Sequence, residues 1–344
     1  MSDRKRRATH FRSADGELPP KRRRCSGGDI SQDFGCCSVE EERLYEMSSL
    51  ENISRADFED KYCQHTTSLA TGGFGSVFTG HRKSDSLPVA IKHIRGEAVK
   101  CERVKCNGKV FDIVLEVALM LKAAGLPGSA GESAAVSLLD WYLQDQELIL
   151  VMEKPEPSID LHRYLKSRRG SLDEQEAKMI LRQLVDAAID MHSKGVFHRD
   201  IKLRNVLVQF ESDVLRVRII DFGCGSFSTE AAFTSLCGTR AYFPPEWFDH
   251  QAYEARPTTV YQLGALFYSL LRGHRPFTTW DYSSGCIQVN TELSTDVKLL
   301  LIRCLARNPS ERATLEELQM DAALNSSETS SINKTLREAP CPSA

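Results

Sequence analysis

The 344-residue chain has no run of eighteen or more apolar residues, and its first 25 residues are basic and polar without an apolar segment. A membrane span and a secretory leader are therefore not expected, and the compartment expected is the cytoplasm, the nucleus or both. Zinc-finger spacing is missing as well. Eleven cysteines are scattered from Cys25 to Cys341 with no Cys-x2-Cys unit and no histidines at zinc-ligand spacing, and only Cys36 and Cys37 form a tight cluster. An odd, scattered set of this kind argues against a disulfide framework and for a reduced intracellular protein whose thiols act as small apolar residues. No internal repeat is found, which excludes a solenoid.

Net charge is scarce too, at −3 for the whole chain, but it is unevenly spread: residues 1–24 hold nine Lys or Arg against three Asp or Glu. Two basic clusters, Arg4-Lys5-Arg6-Arg7 and Lys21-Arg22-Arg23-Arg24, flank a 13-residue spacer. That pattern suits a bipartite nuclear import signal, a tail that only solvates, or direct contact with nucleic acid, the last resting on the basic arm alone and not expected of the folded part. With few apolar side chains, and with Pro19-Pro20 and Gly27-Gly28 interrupting it, the segment 1–37 is expected to be a disordered arm. Residues 38–57 read as an acidic linker with room for a short helix, 58–322 as the folded domain, and 323–344, ending on Pro340 and Pro342, as a disordered tail.

Within the domain, strand signals come first. Val77-Phe78 and Pro88-Val-Ala-Ile-Lys-His-Ile94 are rich in β-branched and aromatic residues. Phe111, Val114, Leu115 and Ala118 recur at helical spacing and predict one helix with Glu116 on a neighbouring face. Leu148-Ile-Leu-Val-Met152 predicts a buried strand, which Pro155 and Pro157 stop, leaving 153–157 as a hinge. Beyond it the pattern turns helical. Ser171-Leu-Asp-Glu174 predicts a capping box at the start of a helix running through Ala177, Ile180, Leu181, Leu184 and Ala188 to Gly195, and residues 259–272 and 295–306 predict two more. The fold class expected is α+β, with a small β-rich lobe over 58–152 carrying one main helix and a larger, mainly helical lobe over 158–322.

A few polar residues on this frame point to phosphoryl transfer, which needs a protein to hold a nucleotide and metal ions, to place a hydroxyl and to neutralise spreading charge. Leu69-Ala-Thr-Gly-Gly-Phe-Gly-Ser-Val77 is a glycine-rich turn between strands. Leu69, Ala70, Thr71, Gly72, Gly73, Phe74, Gly75, Ser76 and Val77 are thus candidate contacts for ATP, although such a turn by itself is also an ordinary hairpin. Fifteen residues after Val77, Val89-Ala-Ile-Lys92 places a lysine behind three apolar positions. Lys92 is the candidate for the α- and β-phosphates, Ala90 a further nucleotide contact, and Glu116 the carboxylate that holds Lys92. His198-Arg-Asp-Ile-Lys-Leu-Arg-Asn205 and Asp221-Phe-Gly223 complete the set. Asp200 can accept the proton of a substrate hydroxyl, Lys202 can reach the γ-phosphate, and Asn205 and Asp221 offer oxygen ligands suited to Mg²⁺.

Over residues 58–322 the chain resembles eukaryotic protein kinases and, within them, the Pim serine/threonine kinases. The finer resemblance rests on Glu153-Lys-Pro-Glu-Pro157, Leu138-Leu-Asp-Trp-Tyr142, Gly238-Thr-Arg-Ala-Tyr242 and Pro244-Pro-Glu-Trp247. It implies a bilobal kinase fold, ATP and Mg²⁺ as cofactors, protein substrates with serine or threonine acceptors (the role of Lys202 with Thr239), and a monomer. It further implies an ion pair between Glu246 and Arg312, Met152 as gatekeeper, and the Glu153 carbonyl as acceptor for the adenine edge. Pro155 then stands where an amide donor is usual, and proline has none. Arg199 is expected to meet an anion; Pim-like kinases supply an aspartate near Ser235, so phosphorylation of Thr234 or Ser235 would restore the missing charge. Other departures are Ala70 for the first glycine of the loop and Thr259 for an aspartate. At the substrate site Asp160 remains, but Arg163, Leu203 and Arg204 replace expected acids. A pseudokinase scaffold is the alternative reading, with Ala70 as its sequence support and the intact catalytic set against it.

Overall fold

A computed structural model describes residues 30–325 except 51–53, 55–57, 73–74, 129–130, 145–146, 212–213, 273–276 and 290–291. In chain order the first half contains β1 (Gln32–Asp33), α1 (Val39–Met47), α2 (Phe58–Lys61), β2 (Tyr62–Gly72), β3 (Gly75–Arg82), β4 (Pro88–Arg95), β5 (Cys101–Cys106), β6 (Lys109–Val114), α3 (Leu115–Ala124), β7 (Leu138–Gln144) and β8 (Glu147–Glu153). Five of the strands form an antiparallel sheet in the order β2-β3-β4-β8-β7. Because side chains alternate along a strand, β4 sends Val89 and Ile91 into an apolar cluster with Phe58, Tyr62, Tyr142, Ile149 and Val151, and turns Ala90 and Lys92 to the other face. That other face looks onto the second half of the chain.

The second half contains β9 (Ser158–Asp160), α4 (Leu161–Ser167), α5 (Glu174–Ser193), β10 (Val196–Phe197), β11 (Val206–Glu211), β12 (Val214–Ile219), β13 (Ser226–Phe227), α6 (Pro245–His250), α7 (Ala255–Arg272), α8 (Thr279–Ser283), α9 (Thr295–Cys304), α10 (Leu315–Met320) and α11 (Ala322–Asn325). Helix α7 is buried almost throughout from Thr258 to Leu271, as its sequence, apolar on every face, requires. The expected pair is present: Arg312 Nη1 and Nη2 donate to Glu246 at 2.8 and 2.5 Å, both side chains being buried. The two halves form a bilobal α+β fold, β-rich first and helical second.

Several local expectations are corrected. The arm drawn over residues 1–37 ends too late, since β1 lies parallel to β5 with Gln32 opposite Val104. The basic clusters and most of the tail fall outside the described residues. Phe111 and Val114 belong to β6 and not to a helix; Asn107-Gly108, with φ of +50° and +77°, folds β5 and β6 into a hairpin, and the Asn-Gly dipeptide was the overlooked signal. At the start of α5 the capping residue is Asp173, which accepts from Glu176 N, while Glu174 accepts from the distant Ser294 N. The cysteines are not all free thiols: Cys37 is joined to Cys106, with Cα atoms 5.8 Å apart. The β1–β5 register, with Asn107 Oδ1 accepting from Cys37 N, brings the pair together from 69 positions apart.

Glu246 and Arg312 are both desolvated, so removing one leaves a buried uncompensated charge. Arg312→Met should lower unfolding stability by about 3–5 kcal/mol, read as a shift in the urea midpoint; an unchanged midpoint would contradict the role given to the pair.

Candidate active site

Lys92 is placed by β4, Glu116 by the first turn of α3, and Asp221 by the loop after β12. Lys92 Nζ lies 2.6 Å from Glu116 Oε1 and 2.8 Å from Asp221 Oδ1. Burial opposes the charge on Lys92, but the two carboxylates outweigh it and hold its pKa above the ordinary lysine value. Burial would likewise raise the Asp221 carboxyl; Lys92, with smaller help from His198 and the Gly223 amide, holds it below the carboxylate range. Phe222 is buried and packs against the His198 ring, centroids 5.0 Å apart. Asp221 and Arg199 have left-handed backbone φ of +68° and +66°, a conformation non-glycine residues adopt only where their surroundings enforce it.

The loop between β10 and β11 is equally well tied. Asp200 Oδ2 accepts from Lys202 Nζ at 2.6 Å, and Oδ1 accepts from the Thr239 amide at 2.8 Å. Lys202 Nζ also donates to Thr239 Oγ1 at 2.8 Å. Asn205 Nδ2 donates to the Asp200 carbonyl and to Asp200 Oδ2, at 2.9 and 3.2 Å. Because both bonds use the amide nitrogen, the Asn205 carboxamide oxygen is the atom on offer to a cation. Ile220 N donates to the Asn205 carbonyl, which sets Asn205 beside Asp221. His198 is buried, and burial lowers its pKa; its Nε2 meets the Ile220 carbonyl, and its Nδ1 accepts from Asp200 N.

A carboxylate positioned by a lysine and an amide, near a buried ammonium and near an asparagine and an aspartate with oxygens that could hold a cation, is equipment suited to phosphoryl transfer. A protein kinase domain family model matches residues 63–322. The chain is 38% identical over 264 residues to the serine/threonine-protein kinase pim-2 of Danio rerio, covering 76% of this chain and 84% of that one. It is also 31% identical to the serine/threonine-protein kinase prk-2 of Caenorhabditis elegans, covering 73% of this chain and 55% of the other. The chain belongs to the protein kinase family. Within it, this is a Pim-like serine/threonine kinase.

Between the end of β8 at Glu153 and the start of β9 at Ser158 runs the segment read as a hinge in this kinase. Glu153 N donates to the Ser137 carbonyl at 3.0 Å, while the Glu153 side chain accepts from Ser137 N at 2.7 Å and pairs with the buried Arg218. The side chain is thus a structural brace, and only the Glu153 carbonyl can serve the role read from sequence. Met152 is buried behind it. In the glycine turn, Gly72 pairs with Gly75, and Gly73 and Phe74 lie outside the described residues. Gly75 has φ +125°, and a Cβ there would stand 1.9 Å from the His93 carbonyl oxygen, so only glycine fits. Ala70 pairs with Val77 beside a register irregularity that leaves the strand intact. A cavity of about 1030 Å³ opens between α1, the loop after α3 and α5, and shares no residue with this site.

Some contacts differ from, or escaped, the sequence reading. Gln262, buried in α7, accepts from Ile201 N at 3.1 Å and donates to the Arg199 carbonyl at 2.8 Å, so one side chain braces the catalytic loop. Thr259, one turn earlier, instead meets His192 Nε2 at 2.8 Å and the Ala255 carbonyl at 3.0 Å. Arg199, expected to meet an anion, donates instead to the Ser235 carbonyl and the Tyr253 hydroxyl and lies over the Phe233 and Tyr253 rings. Nor is Cys237 an inert thiol. A hydrogen bond from Cys224, helped by Lys100 and Arg199, pulls its pKa down to about 5, and Lys100 Nζ ties Cys237 Sγ to the Gly223 carbonyl.

Gln262→Leu keeps the volume and removes both bonds to the loop. The variant should lose roughly tenfold or more in kcat with little change in KM for ATP, because the loop carries Asp200 and not the nucleotide contacts; equal loss in both parameters would contradict a positioning role.

Proposed function

We propose that this kinase transfers the γ-phosphoryl group of ATP to serine or threonine hydroxyls of protein substrates, with Asp200 as the base. The observation that carries the reading is the simultaneous closure of the Lys92–Glu116 and Lys92–Asp221 contacts, which joins both lobes in the arrangement phosphoryl transfer needs. Lys92 would bind the α- and β-phosphates while Glu116 fixes its direction. Leu69 to Val77, with Ala90 and the Glu153 carbonyl, would enclose the nucleotide; among the described residues nothing beyond its chain neighbours lies within 4 Å of where a Gly72 Cβ would stand. The donor set, an Asn205 carboxamide oxygen and the Asp221 carboxylate, fits Mg²⁺, which when bound would neutralise phosphate charge. Lys202 would hold the transferred group's negative charge next to Asp200, and Thr239 orients both. Asp200 Oδ2 would then accept the hydroxyl proton as the new oxygen–phosphorus bond forms and the bond between the γ-phosphorus and the bridging oxygen breaks, with ADP as the leaving group. Thr234 and Ser235 are exposed, and a phosphate there would meet Arg199 in place of its neutral partners.

Asp200→Asn should reduce turnover roughly a hundredfold or more, the range associated with a positioned base. Lys92→Met should nearly abolish transfer while circular dichroism stays that of the parent. Retained turnover of a serine peptide in both variants would contradict the assignment, whereas no turnover by the parent would favour a scaffold.

The substrate preference should depart from one that requires several arginines. Asp160 caps α4 by accepting from Arg163 N at 2.9 Å, and its second oxygen pairs with Arg163 Nε at 3.3 Å. The remaining acid is therefore engaged by its own helix, and exposed Arg204 adds like charge nearby. One upstream arginine should be tolerated and strong dependence on several lost. Arg163→Asp with Arg204→Glu should raise kcat/KM for arginine-rich peptides over matched neutral ones, with a smaller gain at high salt. A wild-type preference already near a hundredfold, about 2.7 kcal/mol, would show that these positions do not set specificity.

A further inference from the structure

The β2–β3 strand pair gathers a thiol and two imidazoles, two of them from β2 and one from β3. Cys63 and His81 are directly opposed in the antiparallel register, and His65, two residues after Cys63, projects from the same side of β2. The cysteine sulfur and one nitrogen from each imidazole all lie within 4.8 Å of one another. His65 Nε2 and His81 Nδ1 are 3.1 Å apart. Two nitrogens bound tetrahedrally at about 2.0–2.1 Å from zinc stand roughly 3.3–3.4 Å apart, close to the spacing found here. His65 Nδ1, on the other side of its ring, lies 3.3 Å from Thr79 Oγ1. An oxygen partner on the second ring nitrogen is the support that metal-bound histidines usually have, and when the hydroxyl accepts from Nδ1–H, Nε2 is the nitrogen left to bind.

We propose that Cys63, His65 and His81 form a zinc site, with water in the fourth position and Thr79 orienting His65. The ligand set selects the metal: one thiolate with two imidazoles suits a borderline-soft, tetrahedral ion and does not suit Mg²⁺. On binding, the Cys63 thiol gives up its proton and forms a sulfur–zinc bond, while each neutral imidazole contributes a lone pair; nothing is oxidised or reduced. His65 is exposed and the other two ligands half-buried, so an ion can enter from solvent. The site spans the two strands that end in the glycine turn, at a place where their register is irregular between Gln64 and Ser68. Zinc would pin that irregular pairing. The site stands apart from catalysis and does not depend on it.

The test uses the full, tag-free chain with excess Mg²⁺ present. Titration calorimetry with Zn²⁺, and absorption with Co²⁺ as spectroscopic stand-in, should show one site per chain with a thiolate-to-cobalt charge-transfer band and tetrahedral ligand-field bands. Cys63→Ser should abolish the charge-transfer band even though other cysteines remain, and His65→Ala with His81→Ala should remove the site. Thr79→Val should weaken zinc roughly 10–100-fold without altering the ligand set. All variants change exposed or half-buried strand positions, and circular dichroism would establish that they are folded. Absence of stoichiometric zinc in the parent, or a charge-transfer band that survives Cys63→Ser, would overturn the proposal.

Discussion

Lys92 Nζ lies within 2.8 Å of two carboxylates that reach it from separate parts of the chain, Glu116 on α3 and Asp221 after β12. Taking these charges out of water is costly, and removing any one of them would leave the others buried and unbalanced. The contact therefore works as a latch with few intermediate settings. It is made only when β4, α3 and the loop before β13 are all in register, and the groups that would hold phosphate and metal are then in place together. The left-handed backbone at Asp221 is one cost of that arrangement.

Support for the latch comes from residues that looked peripheral. Helix α1 opens with a true capping box, Ser38 with Glu41, and buries Tyr45 in the main core. Glu41 also pairs with Lys122 on α3 at 3.0 Å, and Glu42 pairs with Lys109 on the β5–β6 hairpin. The Cys37–Cys106 link fastens the same segment to the same hairpin. The chain before the domain thus buttresses the helix that carries Glu116, which ties its contacts to the orientation of that carboxylate.

A parallel substitution holds the catalytic loop. Where an aspartate would normally sit on α7, Thr259 turns to His192, and Gln262 supplies both a donor and an acceptor to the loop backbone. A neutral amide can satisfy an N–H and a carbonyl at once, which a carboxylate cannot. Arg199 is likewise satisfied by neutral partners, Tyr253 and the Ser235 carbonyl, with two aromatic faces beneath it. The segment around Ser235 is therefore placed without a phosphate.

Motifs whose chemistry is local were legible in the amino-acid order. The glycine turn, Lys92, His198-Arg-Asp200, Asn205 and Asp221-Phe-Gly223 could be assigned because residue type and spacing limit what they can do, and the hinge because proline stops a strand. Two local signals were present but misread: Asn107-Gly108 marks a hairpin, and Asp173 outranks Ser171 as a cap. What the linear order could not yield was any contact set by the pairing of distant segments. Cys37 meets Cys106, Gln262 meets the loop at 199–201, and Cys63 faces His81 only because particular strands and helices pack in one register. A one-residue slip would turn each strand side chain to the opposite face. The chain by itself determined which chemical groups were available and in what order; tertiary packing decided which of them touch, because register and burial are properties of paired elements and not of either one alone.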